Sequence, residues 1–212
     1  MKVCQVRPLR QDRAVSAIMC TSALRRAGHD TTARTRLLHS KPPMHTRFPR
    51  AEARQFDAAH FRQALSQFAT GVTVITTRLA DGTLLGLTAS SFNSVSLDPP
   101  LVLWSLGTRA NSLPVFSGNS HYVINILSAE QAHLAQQFAS KMENRFEGVS
   151  YSLSRTGQPV LDGVSAWFEC HNRSQYPEGD HVIFVGEVEH CEVDPQAALV
   201  FHNGRFVQTG TF

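Results

Sequence analysis

Three stretches of the sequence concentrate residue types that can do chemistry. The first, Gly86-Leu87-Thr88-Ala89-Ser90-Ser91-Phe92-Asn93-Ser94-Val95-Ser96-Leu97-Asp98-Pro99-Pro100, starts strand-like and becomes rich in small hydroxyl residues. Small side chains let a ligand approach the backbone, and hydroxyls with free N–H groups offer donors to a polar, anionic or heterocyclic molecule. By itself the stretch fits equally an edge strand followed by a Ser/Asn turn. The second, Glu143-Asn144-Arg145-Phe146, pairs a cation with an aromatic ring. In isolation it reads as a solvated Arg145 above a packed Phe146. The third, Glu178-Gly179-Asp180-His181-Val182-Ile183-Phe184, sets a Gly-Asp-His triplet where a turn hands over to a β-branched run. His181 is open there to four readings: turn residue, core filler, metal ligand or part of a site.

Other chemistries lack their residues. No G-x-G-x-x-G follows a strand-like run, and there is no G-x-x-x-x-G-K-[ST] phosphate loop. H-E-x-x-H and G-x-S-x-G are also missing. His190-Cys191-Glu192 has the H-x-E of zinc deaminases without the required P-C-x-x-C. The four cysteines (Cys4, Cys20, Cys170, Cys191) have no metal-finger spacing. Cys170 and Cys191 lie in strand-like runs and read as buried thiols. No metal site is expected, and no apolar run is long enough to cross a bilayer.

The net charge of +3 over 212 residues hides two different chains. Residues 1–55 hold twelve Lys/Arg against three acids, and residues 56–212 hold eight against fourteen. The first segment has no sustained apolar periodicity and no signal-peptide core. Three readings fit it: an organelle transit peptide, a disordered basic extension, or non-native sequence from an upstream start, with Met44 as the true beginning. The last is preferred. A nucleic-acid or membrane-surface module driven by this tail ranks lowest, because the body is acidic and the tail lacks interleaved aromatics.

The elements that must position the three stretches are mostly strands. Asp57 caps a helix carrying Phe61, Leu65 and Phe68, which Gly71 ends. VTVITTR and TLLGLTASSF pair across Asp81-Gly82, and LVLWSL follows Pro99-Pro100. RANSLPVF is a brief helix or loop, HYVINIL a strand, and Ser128 to Gln131 a capping box before a helix with Leu134 and Phe138. SAWFECHNRSQ and HVIFVGEVEHCEV are long strands, and LVFHNGRFVQ turns at Asn203-Gly204. About seven strands with few helices predict a mainly β fold, a closed or nearly closed antiparallel barrel with a few flanking helices.

In order and spacing, the body resembles the flavin reductase family, the reductase components of two-component flavin-dependent monooxygenases. The matching segments are FATGVTVITT, GLTASSFNSVSLDPPLV, WSLGTRANS, PVF-x-GN, YVINIL, a helix ending FAS, ENRFEGV and GDH. The resemblance implies a Greek-key-like split β-barrel over residues 56–212. It also implies a homodimer holding FMN or FAD in an interface groove. NADH or NADPH would give hydride to the flavin, and reduced flavin would pass to an oxygenase component in the cytoplasm. The flavin carries the difficult chemistry, so the protein need only hold two rings and set the charge around them.

Roles follow position by position from that resemblance. Thr88, Ala89, Ser90 and Ser91 match the segment along the flavin ring edge and ribityl phosphate. Ser105 and Leu106 match a strand end beside the pyrimidine side, and Asn111 and Ser112 a loop over the phosphate. Arg145 and Phe146 match the basic–aromatic pair after the second helix. His181 matches the histidine that contacts nicotinamide and flavin. Hydride transfer needs the donor carbon and flavin N5 roughly 3–3.5 Å apart, so orientation rather than obligatory base catalysis is its expected role. The family often has Lys-Asp-Lys/Arg-Phe where this chain has Glu143-Asn144-Arg145-Phe146, leaving one basic residue. The competing reading within the fold is an oxidase of the pyridoxamine-phosphate type or a flavin-storing protein.

Overall fold

The computed structural model describes residues 55–208. The basic extension, Gln55 apart, and both the transit-peptide and alternative-start readings of it lie outside the described residues.

The body opens with helix α1 (Ala58–Ser66), whose first turn is held by Asp57 as the sequence predicts: its carboxylate accepts the His60 N–H at 2.8 Å. Gly71 does not end this helix. The helix stops at Ser66, and Gly71 lies in the short strand β1 (Thr70–Gly71). None of the residues of α1 is buried, and Phe61, Leu65 and the following Phe68 stay exposed.

The strands then run in order as β2 (Thr73–Arg78), β3 (Leu84–Ala89), β4 (Asn93–Leu97) and β5 (Pro100–Gly107). Helix α2 (Leu113–Gly118) and β6 (His121–Ile126) follow, then a 3-10 turn (Ala129–Gln131) and α3 (Ala132–Ala139). A hairpin of β7 (Tyr151–Leu153) and β8 (Pro159–Leu161) precedes two long strands, β9 (Ala166–Glu178) and β10 (His181–Val193). β11 (Leu199–His202) and β12 (Arg205–Gln208) close the chain. The turn between them, Asn203-Gly204, has both φ angles positive, as the sequence suggests for a tight hairpin.

Seven strands form one antiparallel sheet in the order β3-β2-β6-β9-β10-β5-β4, and β1, β11 and β12 form a second. Inside the main sheet, Ile75, Leu87, Trp104, Tyr122 and Phe184 make one core. Val72, Leu127, Leu134, Phe138 and Leu199 make another, under α3. β2 is buried on both faces because it lies between these two cores. The β7–β8 hairpin, which the sequence does not announce, is tied down by Glu169. This buried carboxylate accepts from the Thr156 N–H at 2.9 Å, the Thr156 hydroxyl and the Ser154 hydroxyl. Burial opposes its ionisation, but these bonds prevail and hold its pKa below the ordinary carboxylate range.

The cysteine expectation is half right. Cys170 is buried, whereas Cys191 is exposed. β5 pairs with β10 only as far as Glu187, so the end of β10 has β9 as its one partner strand, and Cys191 lies in that exposed end.

Trp104 organises the first core. Its ring stacks on Phe184 at 4.5 Å and meets Phe116 and Tyr122 edge-on at 5.2 and 5.6 Å. This packing locks β5 against β10, which pair from Leu101↔Glu187 to Gly107↔His181. Gly186 admits the arrangement only because it lacks a side chain. A Cβ there would lie 2.5 Å from the Tyr122 hydroxyl and 2.9 Å from the Cys170 Cβ. Gly186→Ala is therefore expected to lower the unfolding free energy by about 1–3 kcal/mol through overpacking, measured by chemical denaturation. Adding Tyr122→Phe should restore part of the loss by removing the closest atom.

Candidate functional site

The main sheet does not close into a full barrel. Its two edges, β3 and β4, are consecutive in the chain and joined through Ser90, Ser91 and Phe92, yet no ladder connects them. β4 pairs with β5 only over Pro100–Leu103, so the last residues of β5 have a free edge on that side. Ser91 spans the seam there. Its hydroxyl accepts the Ser105 N–H at 2.9 Å and donates to the Ser105 carbonyl at 3.3 Å.

The seam opens into a cavity of about 760 Å³. One wall is the run Leu84 to Thr88 of β3, and the facing wall is Leu106 with the turn Arg109–Ser112. Phe138 and Ala139 of α3, with Lys141, Met142, Glu143 and Arg145, make the third. The lining has an apolar part (Leu84, Leu87, Leu106, Phe138) beside a polar part in which Arg109, Lys141 and Arg145 oppose a single acid, Glu143. A flat ring system carrying an anionic tail suits that division, because a phosphate seeks guanidinium, ammonium, hydroxyl and N–H donors.

β3 is held at the cavity by two bonds to other elements. Arg145 donates to the Gly86 carbonyl at 3.0 Å, and the Thr88 hydroxyl donates to the Ala135 carbonyl at 2.7 Å. Gly86 lets the strand press directly on Phe138: a Cβ there would lie 2.5 Å from the ring.

Of the residues singled out from the sequence, Thr88, Leu106, Asn111, Ser112 and Arg145 come together in this lining. Ser90 opens instead on a neighbouring cavity of about 390 Å³ that shares Thr88 and Ala139 with the first. The Ala89 side chain lies in the first core. Phe146 is buried behind the wall, edge-on to Phe138 at 5.0 Å. Ser91 and Ser105 are joined to each other, as described.

Arg109 and Lys141 were missed, although both lie inside or beside the quoted segments. Their signal was charge: only eight basic residues occur in the body, and three of them line this one cavity. They supply the cations that the Glu143-Asn144-Arg145-Phe146 run lacks.

His181 begins β10, opposite Gly107 in register, with its side chain about half exposed. It is not a core residue. Among the described residues no group of three or more His, Cys, Asp or Glu is placed to hold a metal ion. Gly179, at φ 63°, makes the turn before it. The Thr108 N–H and hydroxyl both donate to the Asp180 carbonyl, at 2.9 and 3.2 Å, so this turn is fastened to the one that carries Arg109 and Asn111. The Asp180 carboxylate lies 2.7 Å from His181 Nδ1. That hydrogen bond and the imidazole's charge, with Arg109 adding to them, hold its pKa below the ordinary range.

Comparison with known proteins gives the family. Residues 65–210 match the family described as the flavin reductase like domain. The chain is 42% identical over 145 residues to the reductase component of the flavin-dependent trigonelline monooxygenase of Acinetobacter baylyi, covering 68% of this chain and 47% of that one. It is 42% identical over 149 residues to the FMN reductase (NADH) SmoA of Agrobacterium fabrum, covering 69% and 83%. Among solved structures, the NADH:FAD oxidoreductase of Streptomyces globisporus C-1027, in complex with NAD and FAD fragments, is similar at a TM-score of 0.70 and 35% identity. That match covers 73% of this chain and 93% of the other. The chain thus spans about half the length of the trigonelline relative and most of the other two.

The Ser91 bridge joins two backbone segments of the chain itself, so its role can be read apart from ligand contact. Ser91→Ala should speed hydrogen exchange at the Ser105 amide about five- to tenfold, the loss of one ordinary hydrogen bond. Ser91→Thr, which keeps the hydroxyl, should leave the rate close to wild type. Equal rates in all three proteins would show that the bridge does not hold the seam.

Proposed function

The chain belongs to the flavin reductase family, and from that premise we propose that residues 56–212 catalyse NAD(P)H-dependent reduction of FMN or FAD and supply the reduced flavin to a partner oxygenase. The observation that carries this reading is the seam cavity, with an apolar wall for a ring and three cations for a phosphate. Bound flavin supplies the atom that accepts hydride. The protein's own work is positional. Leu84, Leu85 and Leu87 offer an apolar surface to the ring, while Arg109, Lys141 and Arg145 neutralise the phosphate. Thr88, Asn111 and Ser112 add polar groups between, and His181, opposite Gly107 in the neighbouring strand, is assigned to the nicotinamide.

Purified protein mixed with NADH or NADPH and each of FMN, FAD and riboflavin should oxidise the nicotinamide, followed by absorbance. Arg109→Ala and Lys141→Ala should each raise the KM for FMN about tenfold, the weight of one charge-assisted hydrogen bond. The KM for riboflavin, which has no phosphate, should stay within about threefold. A protein that holds flavin without bleaching it on addition of NADH would instead be a flavin-storing member of the same fold.

The reading includes a homodimer, and α1 supports it. Phe61 and Leu65 share one face of this helix, and with Phe56 and Phe68 they remain 48–77% exposed. Four large apolar side chains so close in sequence mark a surface that another protein covers, and we assign it to a second copy of the chain. The protein should elute at twice the chain mass in light-scattering chromatography. Phe61→Asp with Leu65→Asp should elute at the single mass with an unchanged circular dichroism spectrum, because no residue of α1 is buried among the described residues. Wild type at the single mass would remove the dimer. A cytoplasmic location completes the proposal: Cys170 and Cys191 are both free thiols, as a reducing compartment keeps them. Among the described residues no helix is long and apolar enough to cross a membrane.

A further inference from the structure

The rim of the seam cavity that carries Lys141, Glu143 and Arg145 is a fastened loop. Ser140 caps helix α3: its hydroxyl donates to the Gln137 carbonyl at 2.7 Å and accepts the Met142 N–H at 3.2 Å. The Gln137 amide donates to the carbonyls of Arg145 and Glu147, both at 2.9 Å. The Asn144 side-chain oxygen accepts the Phe146 N–H at 3.1 Å, and Phe146 is buried against Phe138. Lys141, Glu143 and Arg145 thus reach the cavity from backbone held on both sides of them. The Glu143 side chain is exposed, and the bonds that fasten the loop do not use it.

Four charges line the cavity, and none is paired with another. Among the described residues the ion pairs join His121 to Glu189, Arg173 to Glu187, His181 to Asp180 and His190 to Glu192. Arg109, Lys141 and Arg145 belong to none of these, and neither does Glu143, the one acid in the lining. Unpaired cations in a concave site attract an anion. An unpaired carboxylate in the same site opposes it.

We propose that Glu143 sets how long the site keeps its flavin: its carboxylate repels the phosphate that Arg109, Lys141 and Arg145 attract, so that FMN binds as an exchanging substrate and reduced FMN leaves. The inference rests on the reductase reading above and adds to it a residue that works against binding. A protein that supplies reduced flavin must release it, and charge-assisted contacts acting together on one phosphate slow release. The phosphate of FMN carries nearly two negative charges near neutral pH. A single carboxylate facing it therefore acts on the tail and leaves the apolar hold on the ring unchanged. Riboflavin, which has the ring without the phosphate, is the control.

The test is flavin binding to the full chain without nicotinamide, read by the fluorescence of FMN and of riboflavin, with dissociation timed in a stopped flow. Glu143→Gln keeps the side chain's size and removes its charge. It should tighten FMN about five- to tenfold, the scale of one partly exposed like charge facing a dianion, and slow FMN dissociation by a similar factor. Riboflavin should bind within about twofold of its wild-type affinity, since it offers no charge to repel. Glu143→Lys should tighten FMN further, and the gap between wild type and Glu143→Gln should narrow as salt is raised. An unchanged FMN affinity in Glu143→Gln, or equal tightening of FMN and riboflavin, would overturn the proposal. Weaker FMN binding in that variant would overturn it too, by showing that the carboxylate organises the cations instead. A wild type that holds FMN but oxidises no NADH would remove the reductase reading alone, because the affinities still decide what Glu143 does. A wild type that binds no flavin would overturn both.

Discussion

An antiparallel sheet that curls round and fails to close leaves a seam of unpaired backbone groups, and the cavity proposed as the site opens there. A full barrel satisfies its edges by pairing them, and an open sheet must cover or solvate them. This chain bridges its seam at one point, Ser91 to Ser105, and caps it at another, Arg145 to the Gly86 carbonyl. The space between is a cavity whose walls already present backbone to a ligand. A heterocycle edged with donors and acceptors can complete there what a strand would otherwise have provided.

Charge reinforces the placement. The body carries eight basic and fourteen acidic side chains, so its overall field repels anions. Three of the eight cations nevertheless converge on the seam with one carboxylate among them. A local concentration of one sign in a concave site focuses potential more strongly than net charge would suggest. A phosphate bound here, as proposed, would depend on where the cations stand rather than on how many the chain has. Arg109 and Lys141 were overlooked in the sequence for that reason, since neither stands out until the fold brings them together from separate segments.

The strands, the capped helices and the split-barrel class were legible because each is written locally or in a succession of segments. VTVITTR alternates between two cores, Asp57 caps its helix, and Asn203-Gly204 makes a hairpin turn. Features set by distant partners were not legible. Ser91 finds a backbone partner fourteen residues on, and a side-chain pattern does not mark a backbone group. The β7–β8 hairpin is anchored by Glu169 from another strand, which in the sequence looks like one more surface acid. Cys191 looks like one more strand thiol, but β10 has lost its β5 partner after Glu187 and is exposed at its end. The face of α1 was read correctly as apolar, but the same periodicity would serve a core within the chain or one shared between chains.

The division of labour between core and seam explains why so few side chains need chemical power. Trp104, Phe184, Tyr122 and Phe116 pack β5 against β10 and set the pairing of Gly107 with His181. Thr108 then joins the two turns at the end of those strands. The backbone at His181 is thus fixed by a rigid, buried framework, although its side chain is half exposed. Under the proposed reading, the distance between two bound rings is what such a framework would hold, because hydride transfer demands near-attack geometry.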